Sequence, residues 1–477
     1  MAGSRRGLTA MARTEASRPI RTAVEQGVLD PSKYFFDFGC GRGADVEWLM
    51  SMGWKARGWD PVHRPGTRKT RTETVGLTYV INVIEDPAER ISTIREAWRL
   101  TAGLLVVSAR LEDERDDTHI KPKADGWMTS RGTFQKFYDH LELGEWIRGV
   151  LQEEPIAAAP GVWYVFRRSV DREEFLSRRY MTRFPAPHQR KSDKSFIEHR
   201  DILLELINFF AAHGRLPVVD ELSSGSQIAS IFGSIGRAFR VIEVVTDRDE
   251  WLLLVERRRI DLLVYLALKA FDGEFRMSDL PSTTQRDIRA HFTSFTKANE
   301  SARKLLFGVG SLDNIGLACR SSSVGKLTPS ALYVHVDAIE HMPAILKVYE
   351  ACARRLIGEV KDANIIKLHR DSKRVSYLSY PDFDTDPHPG LHRTDVVDLV
   401  AQTLTSRRYG PAANVPILHR KEEFLHRADP RWEPFRAITQ AEVEAGLYSD
   451  TSRIGYRDQW NEIVKAAGWP PPAAGSP

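Results

Sequence analysis

Residues 36–43 read FDFGCGRG, and this stretch decides the fold. An apolar run over residues 33–38 ends in a glycine-rich turn, residues 44–52 then show helical spacing, and residues 55–59 form a second short apolar run. A strand, a glycine turn, a helix and another strand are the opening of a βαβ unit. The glycines let the backbone pass close under a bound nucleoside, and the start of the following helix supplies unpaired N–H groups. Gly58-Trp59-Asp60 closes the second strand and places a carboxylate where it accepts ribose hydroxyls. The interval from Gly43 to Asp60 is what one helix plus one strand requires. Val46 stands where a dinucleotide fold would carry its third glycine, so the pattern is acidic-x-G-x-G-x-G rather than G-x-G-x-x-G.

Working outward, residues 77–84 predict another apolar strand, residues 87–100 (PAERISTIREAWRL) an amphipathic helix with proline in its first turn, and residues 103–109 a buried strand. Residues 162–167 (VWYVFR) predict a strand that closes the sheet. Strands alternating with helices imply an α/β, Rossmann-like domain with a parallel sheet covered on both faces, over residues 1–175. Residues 176–194 are basic and contain prolines, which reads as a linker. Residues 195–310 are helix-rich, with a GRLP break at 214–217 that suits a helix-turn-helix or an ordinary joint. Residues 311–450 predict an α+β domain with strands at 331–336, 365–368 and 375–380 and a helix at 343–356. Residues 451–477 predict a C-terminal helix and a flexible tail ending WPPPAAGSP, and the first dozen residues are expected to be disordered.

The 477 residues, 42% hydrophobic and 28% charged, suit a multidomain globular protein. No apolar run reaches the roughly 20 residues of a membrane span, and the basic N-terminus lacks the apolar segment of a signal peptide, so a cytoplasmic protein without a membrane partner is expected. Three widely spaced cysteines, Cys40, Cys319 and Cys352, argue against a disulfide framework or a zinc module, and no metal site is expected from them. The net charge of +4 is mild, and local clusters matter more. Arg64, Arg68, Lys69 and Arg71 (RPGTRKTR, 64–71), with Lys367 and Arg370, are candidate contacts to nucleic-acid phosphates or ordinary solvated faces. Asp382, Asp384, Asp386, His388 and His392 follow a predicted strand. Such oxygen-rich clusters hold Mg²⁺ or Mn²⁺ or form polar turns. Trp127 and Phe134 stack a base, cap the cleft or belong to the core.

The segment 36–60 resembles class I S-adenosylmethionine-dependent methyltransferases, and the agreement continues downstream through YVINVIEDP (79–87) and LLVVS (104–108). The resemblance implies S-adenosylmethionine as cofactor, with Asp37, Gly39, Gly41 and Gly43 around its methionine end and Asp60 at its ribose. It implies Asn82 and Glu85 on the acceptor side as the catalytic candidates. Between Asp60 and Tyr79 there is too little chain for the family's usual helix and third strand, so the acid that meets adenine has no counterpart. No [DN]-P-P-[FYW] motif and no Pro-Cys nucleophile occur, which leaves ordinary DNA base methylation unsupported.

Nine motifs, FDFGCGRG, GWDP, YVINVIEDPAER, RGTFQKFY, PGVWYVFR, KLTPSALYVH, ANIIKLHR, SYLSYPDFDTDPHP and PILHRKEEF, together resemble the methyltransferase family associated with bacterial DNA phosphorothioation, over roughly residues 12–450. That resemblance implies a methyltransferase whose acceptor is DNA or a component of the sulfur-modification system, with DNA and the system's proteins as partners. The alternative is a non-catalytic accessory protein on a degenerate methyltransferase fold.

Overall fold

A computed structural model describes residues 5–10, 13, 15–115, 117–180, 194–410 and 414–469. It divides into two compact units, one formed by residues 1–171, 312–346 and 352–477, the other by residues 172–311 and 347–351.

The first unit carries the glycine turn. Strands β1 (Tyr34–Phe38) and β2 (Lys55–Trp59) flank helix α2 (Ala44–Ser51), which is preceded by helix α1 (Arg18–Glu25). Strand β3 (Thr72–Thr78), helix α3 (Pro87–Leu100) and strand β4 (Thr101–Ser108) follow. Strands β5 (Ile120–Lys123), β6 (Gly126–Thr129) and β7 (Phe134–Gln135) form a separate three-stranded sheet, and helix α4 (His140–Leu151), β8 (Ile156–Ala159) and β9 (Val162–Phe166) complete the domain. The main sheet runs β2-β1-β3-β4-β9-β8, with β1 to β4 parallel, β9 antiparallel to β4 and β8 antiparallel to β9.

The core explains this order. Leu105, Val106 and Val107 of β4 are completely buried, as an interior strand covered on both faces requires. Each such side chain contributes about 1.5–3 kcal/mol by leaving water. Phe36, Val75, Leu77, Ile94 and Ile147 join the same cluster. Asp86 caps α3 by accepting from Ala88 N, and Pro87 sits in its first turn where no N–H is needed.

The third strand differs from its expected span. It begins at Thr72 and stops at Thr78, because Tyr79 adopts a left-handed φ of 56° and residues 81–83 coil into a 3₁₀ turn. The Asn82 carbonyl accepts from Lys136 N, and Val83 N donates to Val80 O. Apolar composition alone did not reveal that turn. β2 remains an edge strand: no further strand pairs beyond it among the described residues. Residues 60–71 return to β3 without a helix.

In the same unit, β10 (Lys326–Leu327), β11 (Ala331–His335), β12 (Ile365–His369), β13 (Arg374–Ser379), β14 (Arg393–Asp398) and β15 (Thr403–Arg408) form an antiparallel meander in chain order. Helices Trp432–Glu444 and Arg457–Ala466 follow.

The second unit is helical. Leu203, Leu206, Phe210, Phe239 and Trp251 fill its core, with the Phe210 and Phe239 rings stacked at 4.4 Å. At the GRLP break Gly214 caps the helix Arg200–His213 at φ 62°, and Arg215 turns inward to Asp287 and Glu221. Residues 181–193 of the expected linker and the tail after residue 469 lie outside the described residues.

Candidate active site

Strand order reverses between β1 and β3: the chain leaves β1 toward β2 on one side and reaches β3 on the other. In an open α/β sheet this switch point splays the loops at the carboxyl ends of the strands and makes a crevice there. A cavity of about 550 Å³ occupies that position, within the range of small-molecule sites.

The glycine turn shapes one wall. Gly39, Gly41 and Gly43 all have positive φ, at 88°, 52° and 92°. A Cβ on Gly39 would lie 2.5 Å from Val80 Cγ2, so that position needs glycine for space as well as for conformation, while at Gly43 the positive φ sets the requirement, since the Arg64 guanidinium that a Cβ would meet can move. The amides of Gly39 and Cys40 donate to Trp59 O at 2.7 and 3.1 Å, and Gly41 N donates to Asp60 Oδ2 at 3.1 Å. These bonds latch the turn onto the end of β2.

Asp37, at the end of β1, is 2% exposed, and its Oδ1 has no hydrogen-bond partner among the described residues. Burial and the neighbouring Asp45 push its carboxyl well above the usual carboxylate range, against the pull of Arg13 and Arg64. Asp45 itself is held by Ser17, whose N and Oγ donate to its two oxygens at 2.6 and 2.7 Å. A buried acidic oxygen without a hydrogen-bond partner among the described residues, on a residue that lines a cavity, departs from ordinary hydrogen-bond satisfaction.

Asp60 also lines the cavity, but its carboxylate is partly committed. Oδ1 accepts from Val62 N and His63 N at 2.8 Å each, and Oδ2 from Gly41 N. Of about four acceptor positions on a carboxylate, three are taken by backbone.

The acceptor candidates separate. Asn82 is buried in the cavity wall, where its Nδ2 donates to Gln135 Oε1 at 2.9 Å and its Oδ1 has no partner among the described residues. Glu85 does not line the cavity and pairs with Lys123 at 2.8 Å. Gly39, Gly41, Asp37 and Asp60 line it together, whereas Gly43 stands behind them as the cap of α2.

The expected phosphate contacts are dispersed. Arg64 donates to Arg42 O and pairs with Glu47, while Lys69 pairs with Glu96 and lies 3.7 Å above the Trp59 ring centre. Arg68 and Arg71 are exposed. Lys367 sits over the Tyr333 ring, and Arg370 donates to Thr328 O at 2.9 Å. None of the six lines the cavity. Phe134 is a core residue and Trp127 lies under Arg115, both away from the cavity wall.

Several wall residues were not singled out in the sequence. Gly7, Thr9 and Ala10 line the cavity, and the His63 ring meets Gly7 O at 3.0 Å, so part of the stretch expected to be disordered covers the site. Arg13, Arg18, Tyr79, Arg110 and Glu114 also face it. Arg110 and Glu114 sit just past β4, and a charge at the end of an apolar strand is the clue that would have found them. Cys40 stays a thiol: burial pushes it up to about 12.

The chain matches no protein-family model and none of the curated proteins compared with it. Among solved structures it is similar to a 1,6-didemethyltoxoflavin-N1-methyltransferase of Burkholderia thailandensis with bound S-adenosylhomocysteine, at 15% identity and a TM-score of 0.25 over 31% of this chain and 78% of that one. A sugar N-methyltransferase from Streptoalloteichus matches at 17% identity and a TM-score of 0.26, over 34% and 90% of the two chains. An S-adenosylmethionine-bound amino pentose methyltransferase from Micromonospora echinaspora matches at 13% identity and 0.25, over 31% and 90%.

The Asp382 to His392 cluster is a different kind of place. Asp384 pairs with Arg431, Asp386 with Arg457, and His388 Nε2 meets Glu442 Oε1 at 2.7 Å. Lys421 Nζ donates to Phe383 O and Asp386 O, tying the loop down. Among the described residues no group of three or more His, Cys, Asp or Glu is placed to hold a metal ion. No helix among them is long and apolar enough to cross a membrane.

Proposed function

We propose that this chain is a class I S-adenosylmethionine-dependent methyltransferase, working in the cytoplasm in bacterial DNA phosphorothioate modification or its associated defence. DNA or a component of that system is the acceptor. The single observation that carries the methyltransferase reading is the unpartnered, buried Asp37 oxygen in the cavity at the switch point. The genomic setting rests on the motif resemblance from FDFGCGRG to PILHRKEEF.

The residues present fit the cofactor. Asp37 suits its α-ammonium and Arg13 its carboxylate; Gly39 and Gly41 leave room for its chain, and the remaining acceptor position of Asp60 suits a ribose hydroxyl. Ser92, Thr93 and Glu96 of α3, with Trp59, offer a polar and aromatic wall in place of the absent third-strand acid. Bound there, the sulfonium supplies an electrophilic methyl group. The chain's own task is then to orient the acceptor, exclude water and accept a proton where the acceptor carries one. Asn82 and Gln135 are fixed against each other in the wall and serve orientation.

A second reading, a non-catalytic accessory protein that recognises DNA or partner proteins, is favoured by the commitment of Asp60 to three backbone amides. Calorimetry with S-adenosylmethionine and S-adenosylhomocysteine decides between them. The methyltransferase reading expects micromolar binding that Asp60→Ala weakens without unfolding the chain. No binding at millimolar cofactor, with preference for phosphorothioate over ordinary duplex, would establish the accessory reading.

A further inference from the structure

Arg18 and Arg110 line the cavity and lie within electrostatic reach of the same two groups, Tyr79 and Glu114. Arg110 lies two residues past β4, at the carboxyl end of a central strand, and its guanidinium makes no hydrogen bond or ion pair within 4 Å among the described residues. Arg18, from α1, also lines the cavity and donates one Nη2 bond, 2.7 Å long, to Pro160 O, which leaves its other donors available. Guanidinium groups carry five donors in a planar fork that matches an oxyanion. Lining the same cavity are Tyr79, whose left-handed backbone is held by N–H bonds to Ser108 O and Oγ at 3.1 and 3.2 Å, and Glu114, whose carboxylate accepts no hydrogen bond among the described residues. A left-handed tyrosine is a strained backbone, which the packing around it must hold.

We infer that the end of the cavity bounded by Arg18 and Arg110 is an oxyanion subsite, which takes a phosphate, sulfate or carboxylate carried by the methyl acceptor. The inference rests on the methyltransferase reading for what the anion belongs to, and on the arginines for its existence. The subsite carries a built-in opponent. Glu114 is raised by burial and by Asp113 and lowered by Arg18, Arg110 and Arg408, so arginine charge and carboxyl share one space. Tyr79 is held above its ordinary value by burial and by Glu114, and remains a phenol able to donate. An incoming anion is attracted by the arginines and repelled by Glu114 whenever that group is ionised. Its binding therefore strengthens as the pH falls and Glu114 takes up a proton.

Sulfate is the probe, because its charge does not change across the pH range. Its binding to the full chain is measured by calorimetry with and without saturating S-adenosylhomocysteine. Arg110→Gln is expected to weaken sulfate about tenfold or more, from the loss of charge-assisted bonds, while Glu114→Gln strengthens it and abolishes its pH dependence. Opposite signs in two neighbouring variants exclude misfolding as the cause, and thermal unfolding of both provides the check.

Unchanged sulfate binding in Arg110→Gln would overturn the inference. So would mutual exclusion of sulfate and S-adenosylhomocysteine, because the arginines would then serve the cofactor's own carboxylate. If S-adenosylhomocysteine fails to bind while sulfate responds to both variants, the methyltransferase reading falls and the subsite stands. Displacement of sulfate by a short oligonucleotide assigns the anion to a DNA phosphodiester, and displacement by inorganic phosphate alone assigns it to a small acid; either result upholds the subsite.

Discussion

Two regions of this chain place aspartates at the end of a strand or just past it, yet their chemistry is opposite. Around the glycine turn, Asp37 is buried with an orphaned oxygen, three glycines take left-handed backbone, and a cavity opens beside them. In residues 382–392, Asp384 and Asp386 meet arginines, His388 meets Glu442, and Lys421 caps two carbonyls. The first region leaves a polar atom unsatisfied and space beside it, which is what a ligand answers. The second satisfies its charges internally, which is what holds a loop in place. Residue composition does not separate a site from a brace; satisfaction does.

The largest test of this contrast lies in the brace. Glu442→Ala leaves His388 and the Tyr448 hydroxyl without their buried carboxylate, and is expected to cost about 3–5 kcal/mol in chemical denaturation, with cofactor affinity unchanged in the folded fraction. A loss of affinity with little loss of stability would reverse the roles assigned to the two regions.

Next comes the turn. In Gly39→Val the new side chain meets Val80 and a φ of 88°, which together cost about 2–5 kcal/mol. S-adenosylhomocysteine binding is expected to vanish from the calorimetric trace even below the unfolding midpoint. Retained binding would remove the turn from the site.

Asp37→Asn works in the other direction. Because the folded carboxyl is raised, its contribution to stability is fully present below about pH 4, the unfolded value, and is lost as the pH climbs toward the folded one. The Asn variant is therefore expected to unfold at a higher temperature than the parent at neutral pH, with the gap closing in acid, and to bind cofactor more weakly. A variant less stable at neutral pH would show that Asp37 is a structural ion after all.

The smallest effect is expected at Asp384→Ala, which removes an exposed carboxylate from Arg431 and costs less than about 1 kcal/mol. Plasmid nicking in Mg²⁺ should not change. Nicking by the parent that disappears in the variant would instead make this loop a metal-dependent nuclease.

How far these regions were legible follows from what each depends on. β1, α2, β2 and α3 are local: glycine turn chemistry, proline at a helix start and apolar runs mark them within a few residues. β14 (RTDVVD) and β15 (TLTSRR) escaped because they are largely polar and show no regular apolar alternation, so their identity comes from pairing, β14 with β13 and β15 with β14. Asp37, Gly39, Gly41, Asp60 and Asn82 meet in one cavity as their motif suggests, whereas Glu85 leaves it because the 3₁₀ turn after Tyr79 redirects the chain to Lys123. Arg13, Arg18, Arg110 and Glu114 come from separate elements and converge only through the fold of the sheet. No spacing rule in one dimension brings them together.

The central claim is that the cavity at the switch point binds S-adenosylmethionine through Asp37 and the glycine turn. Calorimetric titration of the purified full chain with S-adenosylhomocysteine, alongside Asp37→Asn, tests it most directly. Micromolar, one-to-one binding to the parent and clear weakening in the folded variant is the predicted result. No heat of binding at millimolar ligand, or equal binding by both proteins, would contradict it.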